Sequence, residues 1–111
     1  MKNSLAPKPP SRLSAEAKGW WRKLTDGYSI RDEAGLLLLA TGLEAFDRMR
    51  EAQAAIAKDG VTFRDRFGQV RVNPATTIER DSRAGMLAAL KALNLDLEPL
   101  HERSGRPSGS R

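Results

Sequence analysis

At 111 residues with 40% apolar and 30% charged side chains, the chain is sized for one domain with a modest core, and aromatics at 5% leave most of the packing to aliphatic residues. With no cysteine and a single histidine, His101, disulfides, thiolate zinc sites, thiol catalysis and an imidazole metal cluster are excluded. The net charge of +5 resides at the two ends: Lys2, Lys8 and Arg12 stand without an acid in residues 1–13, Arg103, Arg106 and Arg111 face only Glu102 in residues 101–111, and the span between is formally neutral.

The opening MKNSLAPKPP has no apolar signal core, and an unbroken apolar run such as Leu36–Ala40 is far shorter than the roughly 20 residues that cross a bilayer. A soluble cytoplasmic protein with no membrane contact is the expectation. Pro7, Pro9 and Pro10 in residues 1–13, and SGRPSGSR closing residues 98–111, predict flexible basic arms around a helical domain at 14–97.

A first helix is predicted from about Ala15 to Thr25, with Ser14 as N-cap, Glu16 against the positive end of the helix dipole and Gly27 just past the end. Ala17, Trp20 and Leu24 share one face and are expected inward. Trp21 then points about 100° away, among Lys18, Arg22 and Lys23.

Ser29-x-x-Asp32 resembles a capping box and is expected to open a second helix that runs without proline to Asp59-Gly60. Its length of about 29 residues makes a rod of roughly 43 Å, long for a monomer of this size. Leu36, Leu39, Leu43 and Phe46 describe one apolar stripe; Leu38, Thr41, Ala45, Met49, Ala52 and Ile56 describe another. One stripe is expected to pack within the subunit and the other to face a neighbour. Glu44, Asp47, Arg48 and Glu51 read as i, i+4 pairs on the solvated side.

Val61-Thr62-Phe63 and Val70-Arg71-Val72 alternate apolar with polar residues around a turn containing Gly68, so a β-hairpin is predicted at about 61–72. Asn73-Pro74 then supplies an N-cap and a proline at the first helical position. The last helix extends to Leu93 through Ile78, Ser82, Met86, Ala89 and Leu90, with a surface pair Glu79–Arg83, and Asn94 ends it in the left-handed region. The fold class is therefore mainly α: two N-terminal helices, the second long, a short hairpin and a C-terminal helix.

No GxxxxGK[ST] or GxGxxG phosphate cradle is present, and Gly60, Gly68 and Gly85 fit neither spacing. Ser/His/Asp hydrolysis would have to use His101 from the tail, and the pairs Asp32/Glu33 and Glu79/Asp81 read as helix-surface charges. The expectation is a chain that is not an enzyme and carries no cofactor.

An ordered set of residues resembles a known family: Pro9, Pro10 and Leu13 before the first helix, Trp21 and Leu24 within it, Ile30, Asp32 and Leu37 at the start of the long helix, Gly60, Gly68, Asn73-Pro74, and Leu90-x-x-Leu93-Asn94-Leu95. In this order they resemble the small subunits of tailed-phage terminases, specifically the group with a long central helix, a hairpin and a C-terminal helix. One departure stands out: the family commonly closes its last helix with Leu-Gly-Leu followed by a proline and an arginine, whereas here Asn94 replaces the glycine and Pro99 comes late.

The resemblance implies a non-enzymatic part of the genome-packaging motor, acting in the host cytoplasm. Such a part binds double-stranded viral DNA at the packaging start site, assembles into a homo-oligomeric ring, and regulates a large subunit that holds the ATPase and nuclease. A closed ring repeats one heterologous interface, for which the second stripe (Leu38, Ala45, Met49, Ala52, Ile56) is the expected surface. Two DNA grips are open. In one, Lys8 and Arg12 of the arm with Lys18, Arg22 and Lys23 of the first helix contact phosphates; in the other, the hairpin presents Arg64, Arg66 and Arg71. The rival readings are a helical protein-interaction adaptor and a small DNA-binding transcriptional regulator, whose compact helix-turn-helix the turn at Gly27 permits.

Overall fold

The computed structural model describes residues 6–95, arranged as three helices and one hairpin. In chain order these are α1 (Ala15–Gly27), α2 (Glu33–Asp59), β1 (Thr62–Arg64), β2 (Val70–Val72) and α3 (Ala75–Leu93). The tail expected over 98–111 lies outside the described residues.

α1 begins as its sequence dictates: Ser14 is extended, and its Oγ accepts the Ala17 N–H at 3.0 Å. It continues past the expected Thr25 through Gly27, where the Tyr28 N–H donates to the Leu24 carbonyl at 3.0 Å. The inward tryptophan is the opposite of the one expected. Trp21 is 3% exposed and shares a buried edge with Ala17 and Thr25, while Trp20 is 43% exposed. The buried indole has a partner for its one polar atom, since Trp21 Nε1–H donates to the Pro7 carbonyl at 2.9 Å. Trp20 instead lies beneath Lys23, whose Nζ is 5.0 Å from the ring centroid.

The start of α2 also differs. Ser29 sits at φ 53°, outside the extended backbone that an N-cap adopts. Asp32 caps in its place, extended, with its carboxylate accepting the Gly35 N–H at 2.8 Å. A carboxylate satisfies the amide and complements the helix dipole together, which a serine hydroxyl cannot do. The helix therefore has 27 residues.

Both stripes of α2 are used inside the chain. Leu39, Ala40, Leu43, Phe46 and Met49 join Leu13, Ala17, Trp21 and Ile30 in one buried cluster, with Leu24, Leu36 and Met86 packed against it. α3 returns antiparallel along α2, so that Gln53 meets Glu79, Ala45 lies opposite Gly85, and Gly42 lies opposite Ala89. A Cβ on Gly42 would stand 3.0 Å from the Ala89 methyl, so the helix approach depends on the hydrogen there. Met49 and Ala52 are buried by the chain's own helices, and Leu38, Ala45 and Ile56 are half-buried. The stripe expected to await a neighbour is thus largely the α2–α3 seam.

The flexible arm expected over residues 1–13 does not reach Leu13, which is 4% exposed and part of the core. Residues 6–13 pack because polar and apolar anchors act together: the Pro7–Trp21 bond, an Arg12–Glu44 ion pair, and the Ser14 N–H donating to Asp47 at 2.8 Å. Arg50 adds a two-pronged contact to Glu16, both bonds 3.2 Å. Glu44 and Asp47 consequently hold the arm rather than the surface pairs expected within α2, and Arg48 approaches Glu51 only at 3.9 Å.

β1 and β2 pair antiparallel, Thr62 with Val72, Phe63 with Arg71 and Arg64 with Val70, and all six residues are exposed. Asn73 fastens the base. Its Nδ2 donates to the Gly60 carbonyl at 2.8 Å and its Oδ1 accepts the Ala75 N–H at 3.0 Å, so one buried side chain ties the end of α2 to the first amide of α3; the N-cap position itself falls on Pro74, one residue later than expected. Asn94 ends α3 at φ 59°, ψ 40°, and the Glu79–Arg83 pair forms, both as expected. Among the described residues no helix is long and apolar enough to cross a membrane.

Candidate nucleic-acid interface

The eight cations singled out from the sequence occupy three different environments. Lys8, Lys18 and Arg22 line an open cleft of about 720 Å³ between the packed arm and α1, and none of them makes an ion pair among the described residues. Lys8 and Arg22 are exposed, and Lys18 is half-buried. The cleft exists because the Trp21–Pro7 bond lays the arm across the first turns of α1, bringing Lys8 beside side chains ten or more positions along the chain.

Arg12 and Lys23 stand elsewhere. Arg12 is engaged by Glu44, and Lys23 stacks over Trp20 on the outward side of α1. An arginine so paired has part of its charge already answered within the molecule, so it offers a phosphate less than an unpaired one does.

The hairpin arginines serve the turn that carries them. Gly68, at φ 79°, donates its N–H to the Asp65 carbonyl at 2.9 Å, and the Asp65 N–H donates to the Gln69 carbonyl at 2.9 Å. Asp65 Oδ1 accepts the N–H groups of Phe67 at 2.8 Å and Gln69 at 3.0 Å, an Asx-type closure. Its other oxygen accepts Arg71 Nε at 2.9 Å. Arg64 Nη1 donates to the Gly68 carbonyl at 2.7 Å, and Arg66 lies over the Phe67 ring at 5.1 Å. The hydrogen bond from Arg71, aided by the Gln69 and Phe67 amides, holds the Asp65 carboxyl below its ordinary 3.8 against a smaller opposing effect of burial.

One residue of the cleft was missed by sequence reasoning. Arg31 lines the same cleft from the segment between α1 and α2, and its Nη1 donates to the carbonyls of Thr25 at 2.8 Å and Ile30 at 3.0 Å. In the sequence it stands immediately before Asp32 and Glu33, which read as helix-surface charges; in the fold the Asp32 carboxylate is committed to the Gly35 amide and Arg31 to carbonyls on its other side in the chain.

Apolar side chains remain exposed on the helices and on the hairpin, Trp20 and Tyr28 at α1 among them. Leu37 on α2 and Ile78 and Leu87 on α3 are exposed, as are Val61, Phe63, Phe67, Val70 and Val72 of the hairpin, Phe67 by 74%. The continuous Leu36–Leu39 run signals this in the sequence, because four adjacent leucines on a helix cannot all face one core.

Compared with known proteins, the chain matches the family described as phage terminase, small subunit, over residues 17–99. The match takes in Lys18, Arg22, Arg31, the hairpin and α3, and leaves Lys8 and Arg12 outside it. No curated protein and no solved structure matches the chain.

Proposed function

The chain belongs to the phage terminase small-subunit family, which has its role in phage genome packaging, and from that premise we propose that it binds double-stranded viral DNA at the packaging start site and regulates the large subunit that carries the ATPase and nuclease. The observation that supports DNA contact through the N-terminal face is the set of cations Lys8, Lys18 and Arg22 in one concave surface, none of them ion-paired among the described residues. Lys23 lies on the adjoining side of α1 and adds to the same positive field. The hairpin instead exposes Val61, Phe63, Phe67, Val70 and Val72, and its Arg71 is spent on Asp65 and Gln69, so it is assigned to protein contacts.

Copies join into a ring in this reading. With the Met49 and Ala52 stripe covered by α3, the contacts between copies fall to Leu37, Leu87 and the exposed apolar residues of the hairpin, while Leu38, Ala45 and Ile56 contribute at the edge of the seam. A ring multiplies a few cations per subunit into many phosphate contacts, and affinity then falls steeply with salt.

The reading is tested by measuring binding to a duplex carrying the packaging start site across a range of salt concentrations. Replacing Lys18 and Arg22 with alanine is expected to weaken binding and to flatten the salt dependence by about 0.9 in logarithmic slope for each phosphate that the protein no longer neutralises. Wild-type protein that ignores the duplex at low salt while still stimulating or restraining the large subunit's ATPase would leave a protein-interaction adaptor as the function.

A further inference from the structure

Arg31 is built into the molecule in a way that the other cleft cations are not. Its Nη1 is committed to the carbonyls of Thr25 and Ile30, the first within the last turn of α1, where it joins the Ile30 N–H as a second donor to Thr25. Nε and Nη2 have no acceptor among the described residues. The guanidinium is therefore held at one edge with its remaining donors unused, on a wall of the cleft that also carries Lys8, Lys18 and Arg22. Asp26 is the one carboxylate among the described residues that line it, so the concavity keeps a marked excess of positive charge, and a concave wall concentrates that field.

We propose that Arg31, with Lys8, Lys18 and Arg22, forms a preformed seat for a single phosphodiester phosphate, with Arg31 as the donor that orients it. The proposal deepens the DNA-binding reading above and rests on it for the identity of the ligand. A planar fork with two fixed bonds loses little freedom when it accepts a tetrahedral oxyanion, whereas a lysine brings only a mobile point charge. Phosphates elsewhere on the bound duplex meet a diffuse positive surface; the seat sets the register of the duplex against the subunit. Trp21 is a positioning residue, since its bond to the Pro7 carbonyl holds the wall from which Lys8 projects.

The test separates oriented binding from general attraction by using substitutions that keep charge and competitors that keep ionic strength. Arg31→Lys retains the positive charge and is expected to weaken duplex binding on the order of 10-fold, the scale of a removed charge-assisted hydrogen bond. Arg48→Ala and Arg80→Ala remove a whole charge outside the cleft and are expected to change binding by no more than about 2-fold. Inorganic phosphate is expected to displace the duplex from the wild-type protein more effectively than chloride at matched ionic strength, and Arg31→Lys to abolish that preference. Because Arg31 also closes α1, the melting temperature and helical circular dichroism of each variant are recorded beside binding, and the phosphate–chloride comparison on the wild-type protein, which needs no substitution, tests the seat even if a variant unfolds.

A readout independent of DNA is the NMR signal of the Arg31 Nε–H during titration of the full chain with inorganic phosphate alone, expected to shift and saturate. Saturable phosphate binding by a protein that ignores the duplex would refute the DNA reading and leave an anion seat. Duplex binding with no difference between phosphate and chloride, or with Arg31→Lys equal to wild type, would refute the seat and leave the DNA reading standing.

Discussion

The arm–α1 unit and the β-hairpin carry the same kinds of residue, arginines beside aromatic rings and valine or leucine, yet they use them in opposite ways. In the N-terminal unit the apolar residues Leu13, Ala17 and Trp21 are buried against α2, and that burial holds the backbone while Lys8, Lys18 and Arg22 make no ion pair among the described residues. In the hairpin no strand residue is buried, and the fold of the turn is supported by polar side chains instead, with Arg71 bonded to the Asp65 carboxylate and Arg64 to the Gly68 carbonyl. A cation offers a ligand the donors that the fold leaves unused: the whole ammonium or guanidinium at Lys8, Lys18 and Arg22, Nε and Nη2 at Arg31, and fewer at Arg71, which gives Nε to Asp65 and Nη2 to Gln69.

That contrast is broken most severely at Trp21. Trp21→Ala removes a buried indole and the bond to Pro7, and is expected to destabilise the chain by about 3–5 kcal/mol, while Trp20→Ala, half exposed, costs about 1 kcal/mol or less; denaturant unfolding followed by circular dichroism compares the two. Equal losses would mean that α1 does not present the face described.

A smaller effect is expected where the hairpin joins the helices. Asn73→Ala takes away the acceptor of the Ala75 amide and leaves the Gly60 carbonyl without its donor, a loss of about 1–2 kcal/mol. Hydrogen exchange should show faster opening across β1 and β2 than across α1, because the hairpin has no buried face to retain it. Uniform acceleration over both regions would erase the distinction.

Next comes the segment between α1 and α2. Ser29 has a positive φ, so Ser29→Gly relieves backbone crowding and is expected to stabilise the protein by up to about 1 kcal/mol, part of the gain being offset by the greater freedom of glycine when unfolded. Thermal melts of the two proteins decide it, and a lower melting temperature for the glycine variant would contradict the strain.

The smallest effect is a local titration. The Asp65 carboxyl is held below 3.8 in the folded hairpin, so the support it lends to the turn is present at neutral pH and is lost as the pH falls below 3.8 through the lowered folded value. The amide signals of Phe67 and Gln69 should report that loss while those of α1 stay unchanged, and Asp65→Asn should remove the transition. An α1 response at the same pH would tie the two regions together more closely than their packing allows.

The parts of the fold legible in the sequence are those in which a side chain acts on backbone within a few positions of itself. Ser14 caps α1, Asn94 ends α3, Asn73 bonds the amide of Ala75 around Pro74, and Gly68 turns the hairpin; each is an interaction of short sequence separation whose chemistry depends on little beyond its own neighbours. The start of α2 is ambiguous at the same scale, because Ser29 and Asp32 both suit a cap and only the path of the chain after Gly27 chooses between them. Three of the five cations expected to grip DNA from the arm and α1, Lys8, Lys18 and Arg22, share a cleft, but Arg31 completes it from a segment whose direction no periodicity records.

By itself the sequence determined the order of three helices and a hairpin, their approximate ends, and the family to which the chain belongs, since caps, turns and apolar periodicity are properties of neighbouring residues. Only the tertiary structure decided which tryptophan lies inside, that Arg12 and Glu44 meet while Lys8 and Arg31 share a cleft, and that the second stripe of α2 is covered by α3. Those outcomes depend on residues far apart in the chain, where burial of one face and satisfaction of one polar atom select among arrangements that local preference leaves equal in energy.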